Sequence, residues 1–284
     1  MARFQYTVTL APVPRRWFES CVVALHDLAE SLEAEGERLA LPDGRHVPDV
    51  FLAEGGHLRQ GARYHPEKDD GGGPDSDRTL TVLAWDRRRE TAVEVVTLDD
   101  DPDGLGHMAC AFRLTSAERP REVRVSAKLR AGGGKGTKYA EGGARVHVDL
   151  DKWWRTAAGE GRPASTPVTG RLDHALARAR ATAVARPAGD GRWRVTVRVR
   201  VKGRSFMRPL LPIAMVAFGR RARAAFAEAL DRAARQWNDR VPELVRTDPR
   251  ELPREIIASL FADDVAEPGS TRDPGMVPGD PGVR

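Results

Sequence analysis

The chain has 284 residues, 40% of them hydrophobic, 31% charged and only 6% aromatic, with a formal net charge of +5 at pH 7. That length supports one large domain or two small ones with a real core. The basic excess is spread along the chain rather than gathered in a patch or tail, which argues against a dedicated nucleic-acid protein and leaves weak contact with anionic surfaces as the expectation.

From the N-terminus, Met1 to Tyr6 alternates apolar and polar residues where a signal peptide would carry an apolar core, and reads as a first strand. Trp17, Cys21, Val22, Leu25, Leu28 and Leu32 then recur at helical spacing, predicting an amphipathic helix that ends near Gly36. Between Leu41 and Tyr64 the pattern is broken by Pro42, Gly44, Pro48, Gly55 and Gly56, so loops with at most a short helix or strand are expected. Asp69 to Asp77 has the composition of a surface loop.

Strands follow one another after this loop. Thr79 to Trp85 and Thr91 to Leu98 flank a charged turn and predict a hairpin; His107 to Leu114 with Glu122 to Leu129 predict a second. Ala144 to Leu150 alternates and runs into a short helix carrying Trp153 and Trp154, followed by a Gly/Pro/Ser loop from Gly159 to Thr169. Ala175 to Ala185 and Arg192 to Lys202 form the clearest pair, with Asp190-Gly191 supplying the turn. About eight strands are counted in all. A long helix preceded by Pro209 and Pro212 runs to about Asn238 with one apolar stripe, and must bury that face. A shorter amphipathic helix spans Arg254 to Ala262. The expected organisation is a single domain over 1–246 with inserted loops near 55–77 and 132–169, the short helix within 247–262, and a tail over 263–284 too poor in hydrophobic residues to fold. The longest apolar stretch, Pro209 to Phe218, is far shorter than the ~20 residues that span a bilayer, so no transmembrane segment is expected. Cys21 and Cys110 each lie in an apolar run and read as small buried side chains in a reducing compartment, hence a cytoplasmic location.

In the last hairpin Trp193, Val195, Val197, Val199 and Val201 share one face and Arg194, Arg198, Arg200 and Lys202 the other. The partner strand sets Ala177, Ala179, Ala181 and Ala183 against Arg178, Arg180 and Arg186. Alanines facing a long helix either let that helix approach closely or leave space for a ligand.

The stretch Gly191 to Asn238, with its last strand, Pro-containing entry and closing Trp-Asn, resembles the end of the helix-grip fold of the START and Bet v 1-like (SRPBCC, polyketide cyclase/dehydrase-type) superfamily, and Phe4 to Glu19 resembles its first strand and helix. The resemblance implies an α+β fold, a curved antiparallel sheet wrapped around a long C-terminal helix, with a hydrophobic cavity between them. It transfers no catalytic residues, so enzymatic activity stays open. The candidate lining is Val195, Val197 and Val199 from the sheet and Leu211, Met215, Phe218 and Phe226 from the helix, with His147 and His174 as polar groups that could face the cavity. The expected ligand is an apolar, lipid-like or aromatic small molecule, with cyclase-like chemistry as one use of the cavity.

Other motifs point to no cofactor or metal. Asp99, Asp101, Asp103 and Gly104 match half of a calcium loop, but Cys110 stands where the bidentate Glu belongs, leaving an ordinary acidic turn as the expectation. Gly104 to Ala109 spells a dinucleotide fingerprint but follows aspartates that would repel a pyrophosphate. Gly132 to Lys138 lacks the spacing of a phosphate loop, no histidine pair has zinc spacing, and no nucleophile elbow occurs. Trp153-Trp154 suits ring packing on the sheet or a cavity mouth, and Arg220, Arg221 and Arg223 suit a solvated helix face or an anionic lipid surface.

Two alternative functions remain. A non-enzymatic module could bind anionic lipid or nucleic-acid phosphates through Arg178, Arg180, Arg194, Arg198 and Arg200. The lack of interleaved aromatics there speaks against specific nucleic-acid binding. Glu251 to Ala262 could instead dock in a partner's groove.

Overall fold

Alternation in the sequence becomes sheet over most of the chain. The computed structural model describes residues 2–67, 75, 77–98, 106–130, 141–161, 165–204 and 207–262, the side chains of 207–218 and 262 excepted. Its elements run β1 (Ala2–Leu10), α1 (Arg15–Ser31), β2 (Glu33–Glu35), β3 (Arg38–Ala40), β4 (His46–Glu54), β5 (Arg63–Pro66), β6 (Arg78–Asp86) and β7 (Glu90–Leu98). They continue as β8 (His107–Thr115), β9 (Glu122–Arg130), β10 (Gly142–Asp149), α2 (Leu150–Ala157), β11 (Val168–His174), β12 (Ala177–Pro187), β13 (Trp193–Gly203), α3 (Met207–Arg246) and α4 (Leu252–Ala262).

The thirteen strands form one curved, unclosed antiparallel sheet in the order β1-β13-β12-β11-β10-β9-β8-β7-β6-β5-β4-β3-β2. The first strand therefore pairs with the last, and everything between is a meander. The result is an α+β fold with a C-terminal helix, compatible with helix-grip architecture. The count of about eight strands is too low. The stretch read as loops from Leu41 to Tyr64 holds β4 and the start of β5, and β11 begins at Val168, inside the expected Gly159 to Thr169 loop. The breakers are accommodated rather than obeyed: the register of β4 shifts against both neighbours, Asp49 takes a positive φ of 58°, and Gly55 at φ 82° presses so close to Ala62 that a Cβ would meet its Cα at 3.1 Å. Helix α3 starts at Met207, so Pro209 and Pro212 lie within its first turns rather than before it. The acidic turn at Asp99 to Asp103, the Gly132 to Lys138 loop and the tail 263–284 lie outside the described residues.

Two clusters anchor the sheet. At one end Val8, Ala185, Trp193, Val195 and Ala234 are buried together, with Trp153, Trp154 and Leu230 packed on them. Trp153 meets Trp193 edge to face at 5.6 Å, and Trp154 meets Phe18 at 5.4 Å while donating to Val13 O. The tryptophan pair is packing. Asn238 of α3 accepts from Ala11 N and donates to Thr9 O, and Tyr6 donates to Asp231 at 2.8 Å. At the other end Leu39, Leu41, Val47, Leu52, Tyr64 and Val82 are buried, with Ile257, Leu260 and Phe261 of α4 against them and Arg45 stacked over Phe261 at 4.5 Å. Ile257, Leu260 and Phe261 of α4 are thus covered within the chain.

Helix α1 spans between these ends. Near its start Trp17 Nε1 donates to Thr247 O. Toward its end buried His26 bonds Val22 O and Thr91 Oγ1 and lies 4.9 Å from the Trp85 ring. Because Val22 O can only accept, His26 carries its proton on Nδ1 and accepts the Thr91 hydroxyl at Nε2. Arg87 closes this end on Asp27 and Glu30.

Candidate functional site

Side chains alternate across a strand, so the register defines two continuous faces. The inner face, which carries the helices, holds the row Phe112, Val125, Val146, Gly170, Ala181, Val199 and Phe4 across seven adjacent strands. A second row runs Cys110, Ala127, Ala144, Leu172, Ala179, Val201 and Ala2. In the central strands this apolar surface is half open: Met108, Phe112, Val125, Val146 and Leu172 are 36–48% exposed. Gly170 and Ala181 form a dip between Val146 and Val199, and a Cβ on Gly170 would stand 3.2 Å from Ala181 Cβ, so the floor there is as low as a sheet allows.

At the end of β9, β10 and β11 a hollow of about 590 Å³ is lined from both faces, by Ala127, Gly142 and Ala144 of the inner rows and by Lys128, Arg145, Arg171 and Asp173 of the outer ones. Its size is that of a small-molecule site. His174 and Arg204 border it; the His174 ring lies beside Gly142, 3.6 Å from where a Cβ would stand, and its Nδ1 accepts Leu176 N–H. The imidazole is therefore fixed as the tautomer whose Nε2–H points elsewhere.

The predicted site residues fall in different places. Val195 is 4% exposed, packed in the end cluster with Trp193 and Ala234; Val197 lies at its margin. Val199 is half-buried beside Ala181 and Phe4, and Phe226 sits 5.8 Å from Phe4. The side chains of Leu211, Met215 and Phe218 lie outside the described residues. His174 is on the inner side of β11. His147 is on the outer face of β10, its Nε2 3.4 Å from Glu122 Oε2 without a hydrogen bond, because strict alternation puts Val146 and Val148 inward. The central residues Met108, Phe112, Val125, Val146 and Leu172 were missed. Their signal is the alternation of β8 to β10, which fixes a shared face only once register is known.

Other polar groups serve structure. His57 links Ala29 O to Tyr64, whose hydroxyl accepts Leu58 N–H; burial pushes the Tyr64 phenol up, and the Leu58 N–H opposes this. Burial likewise lifts the Cys21 thiol to about 11, which keeps it protonated and inert. Among the described residues no cluster of three His, Cys, Asp or Glu could hold a metal ion, and no helix is long and apolar enough to cross a membrane.

No family model matches the chain, and no curated protein or solved structure matches it significantly.

Proposed function

We propose that this protein binds an apolar small molecule, lipid-like or aromatic and polyketide-like, on the inner face of its sheet, in the manner of the START and Bet v 1-like superfamily. The observation that carries this reading is the set of half-exposed apolar side chains from Met108 to Leu172, contiguous in register on one face of the sheet. Contiguous exposed apolar surface, unlike single exposed apolar residues, is the mark of interaction and ligand-binding sites. The wiring of β1 to β13 supports the superfamily comparison.

In this reading Val197, Val199 and Phe226 flank the ligand, and Val195 closes its far end. His174 presents Nε2–H to a polar group at the ligand's other end, as an orienting donor or as the acid of a cyclase-type step. Location in the cytoplasm fits the two unpaired cysteines.

Native mass spectrometry of the purified protein, followed by organic extraction, tests the proposal. A stoichiometric apolar molecule, released by extraction and lost in a Phe112→Ser variant that keeps its melting temperature, is the expected result. An empty protein whose melting temperature no apolar or aromatic ligand raises would overturn it.

A further inference from the structure

The opposite face of the same strands carries a ladder. Arg145 pairs with Arg171, Arg171 with Arg180, Arg180 with Arg200 and Arg200 with Arg3, five arginines directly opposite one another on β10, β11, β12, β13 and β1. All five are exposed, and none pairs with a carboxylate among the described residues. The neighbouring rung of Gly143, Asp173, Arg178 and Lys202 holds one carboxylate, Asp173, already bound to Arg178 at 2.9 Å. The next rung on the other side holds His147, Thr169, Thr182, Arg198 and Gln5, with Arg198 donating to Gln5.

Adjacent strands lie about 4.8 Å apart, so the five guanidinium groups spring from a line roughly 19 Å long. Like charges directly opposite in a sheet destabilise it. A row this long, without internal counter-charge, is complementary to an array of anions outside the protein. The guanidinium fork matches phosphate oxygens bidentately, which makes a phosphate array the chemically suited one.

The shape of the face selects among phosphate arrays. Five strands side by side are too broad for the ~12 Å major groove of duplex DNA, which admits a helix or a two-stranded ribbon. The rungs hold no Phe, Tyr or Trp, and their one ring, the His147 imidazole, stands at the β10 end beside Glu122, so single-stranded nucleic acid would find no run of stacking platforms. A planar surface of phospholipid headgroups meets both constraints. We propose that the arginine ladder docks the protein on an anionic membrane surface, with the sheet's outer face against the headgroups and its inner apolar face turned away. This assignment stands on the outer face and not on the apolar rows of the inner one, although Arg145 and Arg171 also border the hollow at His174.

The test is co-sedimentation of the full chain with vesicles of phosphatidylcholine containing about 30% phosphatidylserine, beside vesicles of phosphatidylcholine alone. Binding to the anionic vesicles only, falling steeply as salt rises, is expected. The double variant Arg171→Gln/Arg180→Gln should lose about tenfold or more in binding, since each basic residue near such a surface contributes several-fold, while keeping or raising its melting temperature because repulsion is relieved. Arg88→Gln/Arg119→Gln, which removes two charges from the turn regions beside β7 and β9, should bind as the parent does. Equal losses from both pairs would reduce the effect to net charge and overturn the proposal. So would equal binding to neutral vesicles, no vesicle binding at low salt, or tighter binding to a single-stranded or duplex oligonucleotide than to the anionic vesicles.

Discussion

The two halves of β12 have nearly the same inner side chains and opposite surroundings. Ala185 is fully buried and Ala183 packs at the edge of the Trp193 cluster, with α2 lying over that half of the strand. Ala179 and Ala181, a few residues earlier, are only partly buried and look toward Val146, Leu172 and Val199. A row of alanines can bring a helix close or leave a space, and this strand does each in turn. The lesson is that small residues specify a distance and nothing more; the neighbouring large residue, Trp193 here, decides whether that distance is filled.

Substitutions separate the two halves. Trp193→Ala, at the filled end, should cost about 3–5 kcal/mol by denaturant unfolding, because a large side chain is removed from a site that α2 and α3 hold open. Thr91→Val should cost about 1–3 kcal/mol, since it leaves His26 Nε2 buried and unpaired beneath α1. Ala185→Leu should destabilise by about 1–3 kcal/mol through overpacking, whereas Ala181→Leu should change stability by only about 0.5 kcal/mol and instead reduce uptake of an apolar probe. Equal costs for the two leucines would erase the distinction drawn between the halves of β12. The smallest effect concerns pH at the other end of α1. Burial would raise the Glu30 carboxyl, but hydrogen bonds from Arg87 and Trp85 outweigh it and hold the carboxyl below its usual value. A depressed folded value means the contact contributes fully above about pH 4.3 and is lost as pH falls through the lower folded value. An Arg87→Gln variant should accordingly lose part of the parent's acid-induced drop in melting temperature below that point.

Much of this fold is legible in the residues, and the illegible parts have causes. The hairpin of β12 and β13 is written in strict alternation and an Asp190-Gly191 turn, and Gly191 does adopt a φ of 76° there. The hairpins β6–β7 and β8–β9 and the helix α4 follow their periodicity, while α1 stops at Ser31, short of the expected end near Gly36, where β2 takes over. Strands β2, β3 and β5 are three or four residues long, too short for a period to register, and β4 keeps Pro48 and a bulge that mimic a loop. Strand β11 hides because Gly170 replaces an apolar inner residue and its outer residues are as polar as a turn. For the candidate site, alternation reveals that Val199 and Ala181 share a face. The contribution of Phe112, four strands away from Ala181, depends on pairings that no local pattern encodes. Of the arginine ladder, alternation alone places Arg180 and Arg200 on the outer face, and register adds Arg3, Arg145 and Arg171.

The pairing of β1 with β13 has a consequence for synthesis. From β3 onward each strand neighbours the one just made, so the meander can zip as it leaves the ribosome, but Ala2 must wait for Val201. At about 5–20 residues per second that interval is roughly 10–40 s, during which the first strand has no partner and the edge of the growing sheet is open. Its alternation of Arg3, Gln5, Thr7 and Thr9 with apolar neighbours keeps half of the waiting strand hydrophilic, so the same residues that later form the outer face act first to keep a nascent chain from finding the wrong sheet.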